Sequence, residues 1–190
     1  MSDIKKIPTI KSFIKEVFQT IILGIAIFAI LQVSLQPYKV EGSSMHPTME
    51  SGDFVIVNKI TYWEIPFYES INHQYLFTGP RRGDLVVFDY PFDPSRKFVK
   101  RVIAIPGDTL EIKSGSVIIN SKVINEPYVY HPSYDNVRPI TIPRGSYYVL
   151  GDNRQNSQDS RSFGLISSEN ISGKALISYW PISNLVDDLR

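Results

Sequence analysis

The pattern of apolar and polar positions divides the chain into an apolar N-terminal segment and a longer part with short apolar runs. Residues 17–35 carry no charged side chain. In a helix, which rises about 1.5 Å per residue, such a segment spans roughly the hydrocarbon thickness of a bilayer. The pattern therefore predicts a transmembrane anchor over residues 17–36.

The charges before this anchor predict its orientation. Lys5, Lys6, Lys11 and Lys15 precede the apolar segment. The positive-inside rule then places residues 1–16 in the cytoplasm and residues 37–190 outside it. A buried core helix or a cleavable signal peptide would also be apolar, but a signal peptide has a shorter apolar core and a small-residue exit. We expect a single-pass protein that contacts the lipid bilayer, in the bacterial plasma membrane by default or in a thylakoid or other organellar membrane.

After the anchor, short runs rich in Val and Ile are bounded by Gly, Pro and Asp, as strands usually are. There is no alternation of strands with helices and no repeat of fixed period. The sequence therefore predicts an all-β fold class: an antiparallel β-sheet domain with a smaller β subdomain inserted at 109–142, preceded by one N-terminal transmembrane helix. Residues 62–80 are aromatic-rich and poorly periodic, and we interpret them as a surface flap. The predicted strands are 53–59, 84–90, 97–105, 109–113, 116–123, 146–150 and 174–180.

Composition excludes several classes of function. The formal net charge of +1 argues against a nucleic-acid-binding protein, which normally has a strong basic excess. The absence of cysteine excludes disulfides, thiolate nucleophiles and Cys-based zinc sites. Only three histidines are present, and they are widely spaced. We therefore expect no metal site and no cofactor.

The stretch EGSSMHPTME, residues 41–50, contains two adjacent serines that could act as nucleophiles. A serine hydroxyl needs a base to attack, because it is almost wholly protonated at neutral pH. His46 is only two residues from Ser44, too close in the chain for its imidazole to reach that hydroxyl easily. A lysine can replace histidine as the base if burial lowers its pKa.

Lys100 is the candidate for such a lysine, because it lies in the apolar run FVKRVIAI, residues 98–105. Strand alternation places Lys100 and Arg101 on opposite faces, so one of them points inward or into a cleft. Periodicity alone favours the other interpretation, an edge-strand lysine whose amine reaches solvent. The polar stretch GDNRQNSQDSR, residues 151–161, is by itself typical of a solvated loop.

Four segments, EGSSMHPTM, RRGDLVVF, KRVIAIPGD and GDNRQNSQDSRSFG, occur in this order behind the anchor. Together they resemble the conserved boxes of the type I signal peptidases, which are membrane-anchored serine proteases. The boxes cover about a third of the chain. The resemblance implies a serine endopeptidase that removes signal peptides from exported preproteins through an acyl-enzyme.

The resemblance also implies roles for individual residues. Ser44, directly before Met45 in the first box, would be the nucleophile, and Ser43 a bystander. Lys100 would be the general base. Ser157 would donate or accept a hydrogen bond that orients the lysine amine.

Two ion pairs are implied as supports of the loops that carry the dyad. Asp159 would pair with Arg161, and Asp152 would pair with Arg101. Lys100 would then face the cleft while its neighbour Arg101 faces Asp152.

The oxyanion site and the substrate pockets are less fully defined. Some relatives have a serine two residues before the nucleophile, and Gly42 stands there in this chain. The Ser44 N–H would serve as one oxyanion donor, and the second donor stays open. Val40, Met45 and Val99 flank the dyad residues and could form small apolar pockets.

Other classes of protein share parts of this pattern. One alternative is a repressor-type Ser-Lys self-cleaving protease, against which the anchor argues. Another is a non-catalytic, membrane-tethered β-domain, against which the presence of both Ser44 and Lys100 argues. We expect a monomer whose partners are signal-peptide-bearing preproteins and the bilayer, with no nucleic acid.

Overall fold

The structure is a computed structural model that describes residues 10–62, 75 and 78–180, apart from the side chains of residues 177–180. Its contacts divide the chain into a unit that ends at Leu35 and a unit that begins at Gln36. Most of the predicted flap at 62–80 lies outside the described residues, as do Lys5, Lys6 and His73.

The first unit contains helix α1 (Ile10–Ser34), which is 25 residues long and therefore about 37 Å in length. It begins earlier than the predicted anchor and includes Lys11 and Lys15. Its apolar side chains are exposed along the whole length; Phe18 and Phe28, for example, are 62% and 63% exposed. The helix is long and apolar enough to cross a membrane.

The second unit is built from two sheets, which confirms the all-β prediction. The larger sheet has the strand order β1-β2-β11-β3-β4-β9-β10, and its neighbouring strands from β2 to β10 are antiparallel. The smaller sheet has the order β7-β6-β5-β8. The strands are β1 (Leu35–Lys39), β2 (Phe54–Asn58), β3 (Leu85–Tyr90), β4 (Asp93–Ala104), β5 (Thr109–Lys113), β6 (Ser116–Ile119), β7 (Lys122–Val123), β8 (Val137–Thr141), β9 (Ser146–Leu150), β10 (Ile166–Ser167) and β11 (Ile171–Trp180).

The smaller sheet lies within the segment 109–142. The strand predicted over 116–123 is divided there into β6 and β7. Asn120 and Ser121 separate them with φ angles of 50° and 65°, which allow the chain to reverse in a two-residue turn. This sheet buries its apolar face in a cluster that includes Leu110, Ile119 and Ile142.

Strand β4 has an edge without a strand partner before Arg101, among the described residues. Residues Lys97 to Arg101 pair with β3 on one side, whereas pairing with β9 on the other side starts only at Arg101, opposite Leu150. Among the described residues, the backbone from Lys97 to Lys100 therefore has a strand on one side only, and its second edge pairs with no other strand.

The turn that follows β1 is fixed by apolar side chains beneath it. Met45 is 1% exposed and Met49 is 4% exposed, and both pack in one cluster with Val40, Val55 and Val57. Burial of side chains of this size contributes about 1.5–3 kcal/mol each. Met45 and Met49 thus anchor the serine-bearing turn to β2.

Candidate active site

The structure brings Ser44 and Lys100 together although 56 residues separate them in the sequence. Ser44 lies in the turn after β1, and Lys100 lies on β4. The distance between Lys100 Nζ and Ser44 Oγ is 2.6 Å. This is hydrogen-bond distance, so a proton can pass directly between the two groups.

Burial gives Lys100 a lowered pKa. The residue is 3% exposed, and its amine also donates to the Val99 carbonyl oxygen at 3.0 Å. Burial lowers the pKa of Lys100 from 10.5 to about 8, while the negative charges of Asp159 and Asp152 act in the opposite direction and raise that pKa. At pH 7 about one lysine in ten is therefore neutral, which suits a general base.

The serine-bearing turn is held from the other side by the polar loop after β9. The Asn153 backbone N–H donates to the Ser44 carbonyl oxygen at 3.1 Å, and its side-chain amide donates to the Ser43 carbonyl oxygen at 3.1 Å. The side chain of Asn156 donates to Ser43 Oγ at 2.8 Å. These bonds fix the main chain on both sides of the Ser44 hydroxyl.

Gly151 allows this close approach of the two loops. A Cβ atom on Gly151 would lie 2.5 Å from the Ser44 carbonyl oxygen and 2.2 Å from Ser157 Oγ. Contacts this short do not occur in proteins, so only glycine fits there.

Both expected ion pairs are present with two hydrogen bonds each. Arg101 donates to Asp152 through Nε at 2.8 Å and through a terminal nitrogen at 2.6 Å. Arg161 donates to Asp159 in the same way, at 2.8 and 2.7 Å. The carboxylates of Asp152 and Asp159 are fully buried, so these bonds satisfy groups that water does not reach.

Asp159 also contacts the loop directly. It accepts a hydrogen bond from the Gly151 N–H at 3.0 Å and caps the short helix α2 (Ser160–Phe163). Asp152 accepts from the Thr48 hydroxyl at 2.5 Å and thereby joins the polar loop to the end of the serine-bearing turn.

Ser157 differs from its expected role. Its hydroxyl is buried next to Gly151 and has no hydrogen-bond partner among the described residues. The amine of Lys100 bonds instead to Ser44 Oγ and to the Val99 carbonyl oxygen. The expected Ser157–Lys100 bond is therefore not formed in this structure.

The two expected oxyanion positions differ in their bonding. The Ser44 N–H donates to none of the residues that the structure describes. The Gly42 N–H donates to Ser51 Oγ at 3.3 Å, and Gly42 has a φ angle of 87°, which favours glycine. Ser44 thus presents a free amide beside its own hydroxyl, whereas the Gly42 amide is already engaged.

A cleft of about 610 Å³ opens at the dyad. Val40 and Val99 line it, as expected, together with Val55 and Val87. Met45 does not line the cleft, because its side chain points into the core cluster beneath the turn. Met45, which directly follows Ser44, therefore anchors the turn and does not form a pocket.

Sequence reasoning missed a buried brace between the two sheets. Glu126, in the loop after β7, accepts hydrogen bonds from both terminal nitrogens of Arg154 at 2.6 and 3.0 Å. Arg154 Nε in turn donates to the Gly151 carbonyl oxygen at 3.0 Å. Tyr128 donates to Glu126 at 2.9 Å, and its ring lies 4.0 Å from the Arg101 guanidinium. Glu126 and Arg154 are 28 positions apart in the sequence, so no local sequence pattern predicts their contact.

Comparisons with known proteins show the family of the chain. The family model described as "Signal peptidase, peptidase S26" matches residues 10–180. A probable signal peptidase I-1 from Synechocystis is 33% identical over 185 residues, which cover 93% of this chain and 88% of that protein. Signal peptidase IB from Staphylococcus aureus is 32% identical over 191 residues, with coverage of 91% and 92%.

Two further similar proteins match over a smaller share of one of the two chains compared. The chloroplastic thylakoidal processing peptidase 1 of Arabidopsis thaliana is 31% identical over 81% of this chain and 44% of that protein. A crystal structure of a signal peptidase I from Enterococcus faecalis is 28% identical, with a TM-score of 0.48, and covers 52% of this chain and 98% of that one.

Proposed function

The chain belongs to the signal peptidase S26 family and is a serine endopeptidase that removes signal peptides, and we propose that it does so through a dyad of Ser44 and Lys100. The observation that carries this mechanism is the 2.6 Å contact between Lys100 Nζ and Ser44 Oγ. The lowered pKa of Lys100, about 8, makes a neutral amine available near neutral pH.

The reaction follows from this contact. Neutral Lys100 takes the hydroxyl proton as Ser44 Oγ attacks the scissile carbonyl carbon, and a tetrahedral oxyanion forms. The Ser44 N–H donates to that oxyanion. The lysine ammonium then gives its proton to the leaving amine, which departs and leaves an acyl-enzyme ester on Ser44. Neutral Lys100 next activates a water molecule, which hydrolyses the ester and restores the serine.

Ser157 supports the acyl-enzyme stage. Once Ser44 Oγ is esterified it is a poorer partner for the lysine amine. The buried hydroxyl of Ser157 has no other partner among the described residues and can take up that hydrogen bond. It would then orient the amine toward water during deacylation.

The substrate binds as an added strand. The free edge of β4 before Lys100 can pair with an extended preprotein segment and align its scissile bond with Ser44. Val40 and Val99 leave room for small side chains next to that bond. Specificity would then come from pocket size, and affinity from main-chain hydrogen bonds.

The membrane arrangement completes the proposal. Helix α1 anchors a monomer in the bilayer, with its lysine-bearing N-terminal side in the cytoplasm and residues 37–190 on the opposite side of the membrane. The scissile bond of a translocated preprotein emerges on that opposite side. Contact with lipid is thus part of the function.

Cleavage of a signal-bearing preprotein in detergent tests the dyad. Ser44→Ala and Lys100→Ala are each expected to lower cleavage to background while the β-domain stays folded. Ser43→Ala is the matched control and is expected to retain substantial activity. Near wild-type cleavage by either dyad variant, or loss of activity in Ser43→Ala alone, would contradict the assignment.

A further inference from the structure

The walls of the cleft carry two exposed positive side chains besides Lys100 and Lys97. Residues 38–44 line one wall of the cleft, and residues 95–100 line the other. Lys39 lies on the first wall and Arg96 on the second, and both are exposed. Among the described residues neither forms an ion pair within 4 Å, although Asp93 is near enough for its charge to interact with that of Arg96.

The guanidinium of Arg96 is held by aromatic rings. Its Cζ lies 5.3 Å from the centroid of the Phe98 ring and 5.6 Å from that of Tyr90. The two rings stack on each other with centroids 4.6 Å apart. Aromatic contact restrains a guanidinium while its N–H edge stays available for a planar carboxylate. The next residue, Lys97, is different, because its ammonium bonds to Asp89 and Ser172.

The position of Arg96 relative to the dyad follows from the ring they share. Lys100 Nζ is 5.2 Å from the Phe98 centroid and Arg96 Cζ is 5.3 Å from it, so the two groups are within about 10.5 Å of each other. An extended chain advances about 3.3 Å per residue. The 10.5 Å limit corresponds to about three residues of extended chain, and the length of an Asp or Glu side chain with its hydrogen bond adds up to about two more. Arg96 therefore reaches substrate side chains no farther than about five residues from the scissile bond.

Charge on the cleft walls also limits where an acidic group can bind. Glu41 is the only acidic residue among the described residues that line the cleft, and it lies nearer in sequence to Ser44 than Lys39 does. It disfavours an acid close to the dyad. Arg96 and Lys39 favour an acidic group of the substrate that binds farther from the dyad.

We propose that Arg96, assisted by Lys39, forms a subsite for a carboxylate side chain of the preprotein three to five residues from the scissile bond. This subsite rests on the proposed function, since it selects among substrates that Ser44 cleaves. It makes Arg96 a specificity-determining residue: preproteins with Asp or Glu at the matching position are cleaved more efficiently than those with neutral residues.

A peptide series tests the subsite. Peptides that span one cleavage site carry a single Asp, or the isosteric Asn, at each position three to five residues on either side of the scissile bond, and kcat/KM is measured with the full chain in detergent without lipid. We expect the wild type to prefer Asp over Asn about fivefold at one position, the size of an exposed ion pair. The preference should fall at high salt.

Variants show whether Arg96 causes the preference. Arg96→Gln is expected to bring the Asp/Asn ratio to about one, and Arg96→Glu to reverse the preference in favour of a Lys peptide. Arg138→Gln, which removes an exposed arginine on β8, should leave the ratio unchanged.

The outcomes separate this inference from the proposed function. If the wild type cleaves none of the peptides or the preprotein, the proposed function fails. If it cleaves them with no Asp preference at any position, or with the same preference in Arg96→Gln, the subsite is wrong. An Arg96 effect that appears only when anionic vesicles are added would also overturn it, because the arginine would then bind lipid headgroups.

Discussion

Lys100 carries a charged group that is almost completely buried, and under the proposed mechanism the protonation of this amine determines the pH dependence of cleavage. Its pKa of about 8 means that most of the lysine is protonated below pH 8 and cannot take the Ser44 proton. We expect kcat/KM to rise with pH, with an apparent pKa near 8 and a slope of about tenfold per pH unit well below it. Measurement from pH 6 to pH 10 on one peptide checks this, with circular dichroism at each pH to monitor the fold.

Histidine offers the competing explanation of such a profile. His46 is near Ser44 in sequence, but its Nδ1 lies 3.6 Å from a carboxylate oxygen of Glu50. A pH profile that changes in His46→Asn and stays the same in conservative variants of Lys100 would assign the role of base to His46 instead of Lys100.

The same lysine is expected to lower the stability of the fold. Its pKa is about 8 in the folded protein against 10.5 ordinarily, so the unfolded chain binds this proton more tightly. Stability therefore increases as pH rises from about 8 to 10.5, and the full cost of about 3 kcal/mol applies below pH 8. Lys100→Met removes the charge with little change in volume. We expect its free energy of unfolding in urea to exceed that of the wild type by about 1–3 kcal/mol at pH 7.

The pH dependence of that difference is the control. At pH 10.5 the wild-type lysine is almost wholly neutral in the folded protein and about half neutral in the unfolded chain, so the advantage of Lys100→Met should become small. An equal difference at pH 7 and pH 10.5 would attribute the effect to packing and contradict the electrostatic cost.

Single residues of the site were predictable to different degrees. Ser44 and Lys100 stand in sequence boxes that resemble those of a known family, so the pair could be proposed without a structure. The hydrogen bond of Ser157 could not be predicted, because Ser44 Oγ and the Val99 carbonyl oxygen, which belong to other segments of the chain, compete with Ser157 for the Lys100 amine. Met45 was expected in the pocket, yet the turn directs its side chain into the core.

At the scale of elements, the loop that contains Glu126 and Tyr128 acts across the two sheets. Glu126→Gln keeps the shape of the side chain but replaces the two charged hydrogen bonds with Arg154 by a weaker contact. We expect this change to lower the free energy of unfolding by about 2 kcal/mol. Arg154 then holds the Gly151 carbonyl less firmly, and Gly151 directly abuts the Ser44 main chain. We expect kcat to fall about tenfold or more with KM nearly unchanged, because small misplacements of reacting groups are costly.

Matched readouts separate positioning from general destabilisation. Glu111→Gln removes another acid of the smaller sheet, which pairs with Lys113 and contacts neither arginine, and it should leave kcat unchanged. The apparent pKa of kcat/KM in Glu126→Gln should stay near that of the wild type, because Glu126 does not contribute to the shift at Lys100. An unchanged kcat, or an equal loss in Glu111→Gln, would show that the brace is structural only.

The elements themselves were predictable where a local pattern exists. Residues 109–113 alternate between polar and apolar side chains, and residues 146–150 are mostly apolar, with turn residues beside both segments. Both segments form strands with those bounds. Strands β1, β8 and β10 were missed: β1 and β8 each contain an unfavourable proline, and β10 is only two residues long. The Glu126–Arg154 brace was missed for another reason, since its two partners meet only through the packing of separate sheets.

At the scale of the whole molecule, the proposed topology can be tested because the chain contains no cysteine. Ser12→Cys places a thiol on the N-terminal side of α1, and Lys122→Cys places one on the exposed strand β7. The positive-inside rule predicts that a membrane-impermeant maleimide labels Lys122→Cys in intact bacterial spheroplasts, and Ser12→Cys only after permeabilisation. The wild type is the unlabelled control. The reverse pattern would place the Ser44–Lys100 dyad in the cytoplasm, where it could not meet the scissile bond of a translocated preprotein, and labelling of both variants without permeabilisation would exclude a spanning α1.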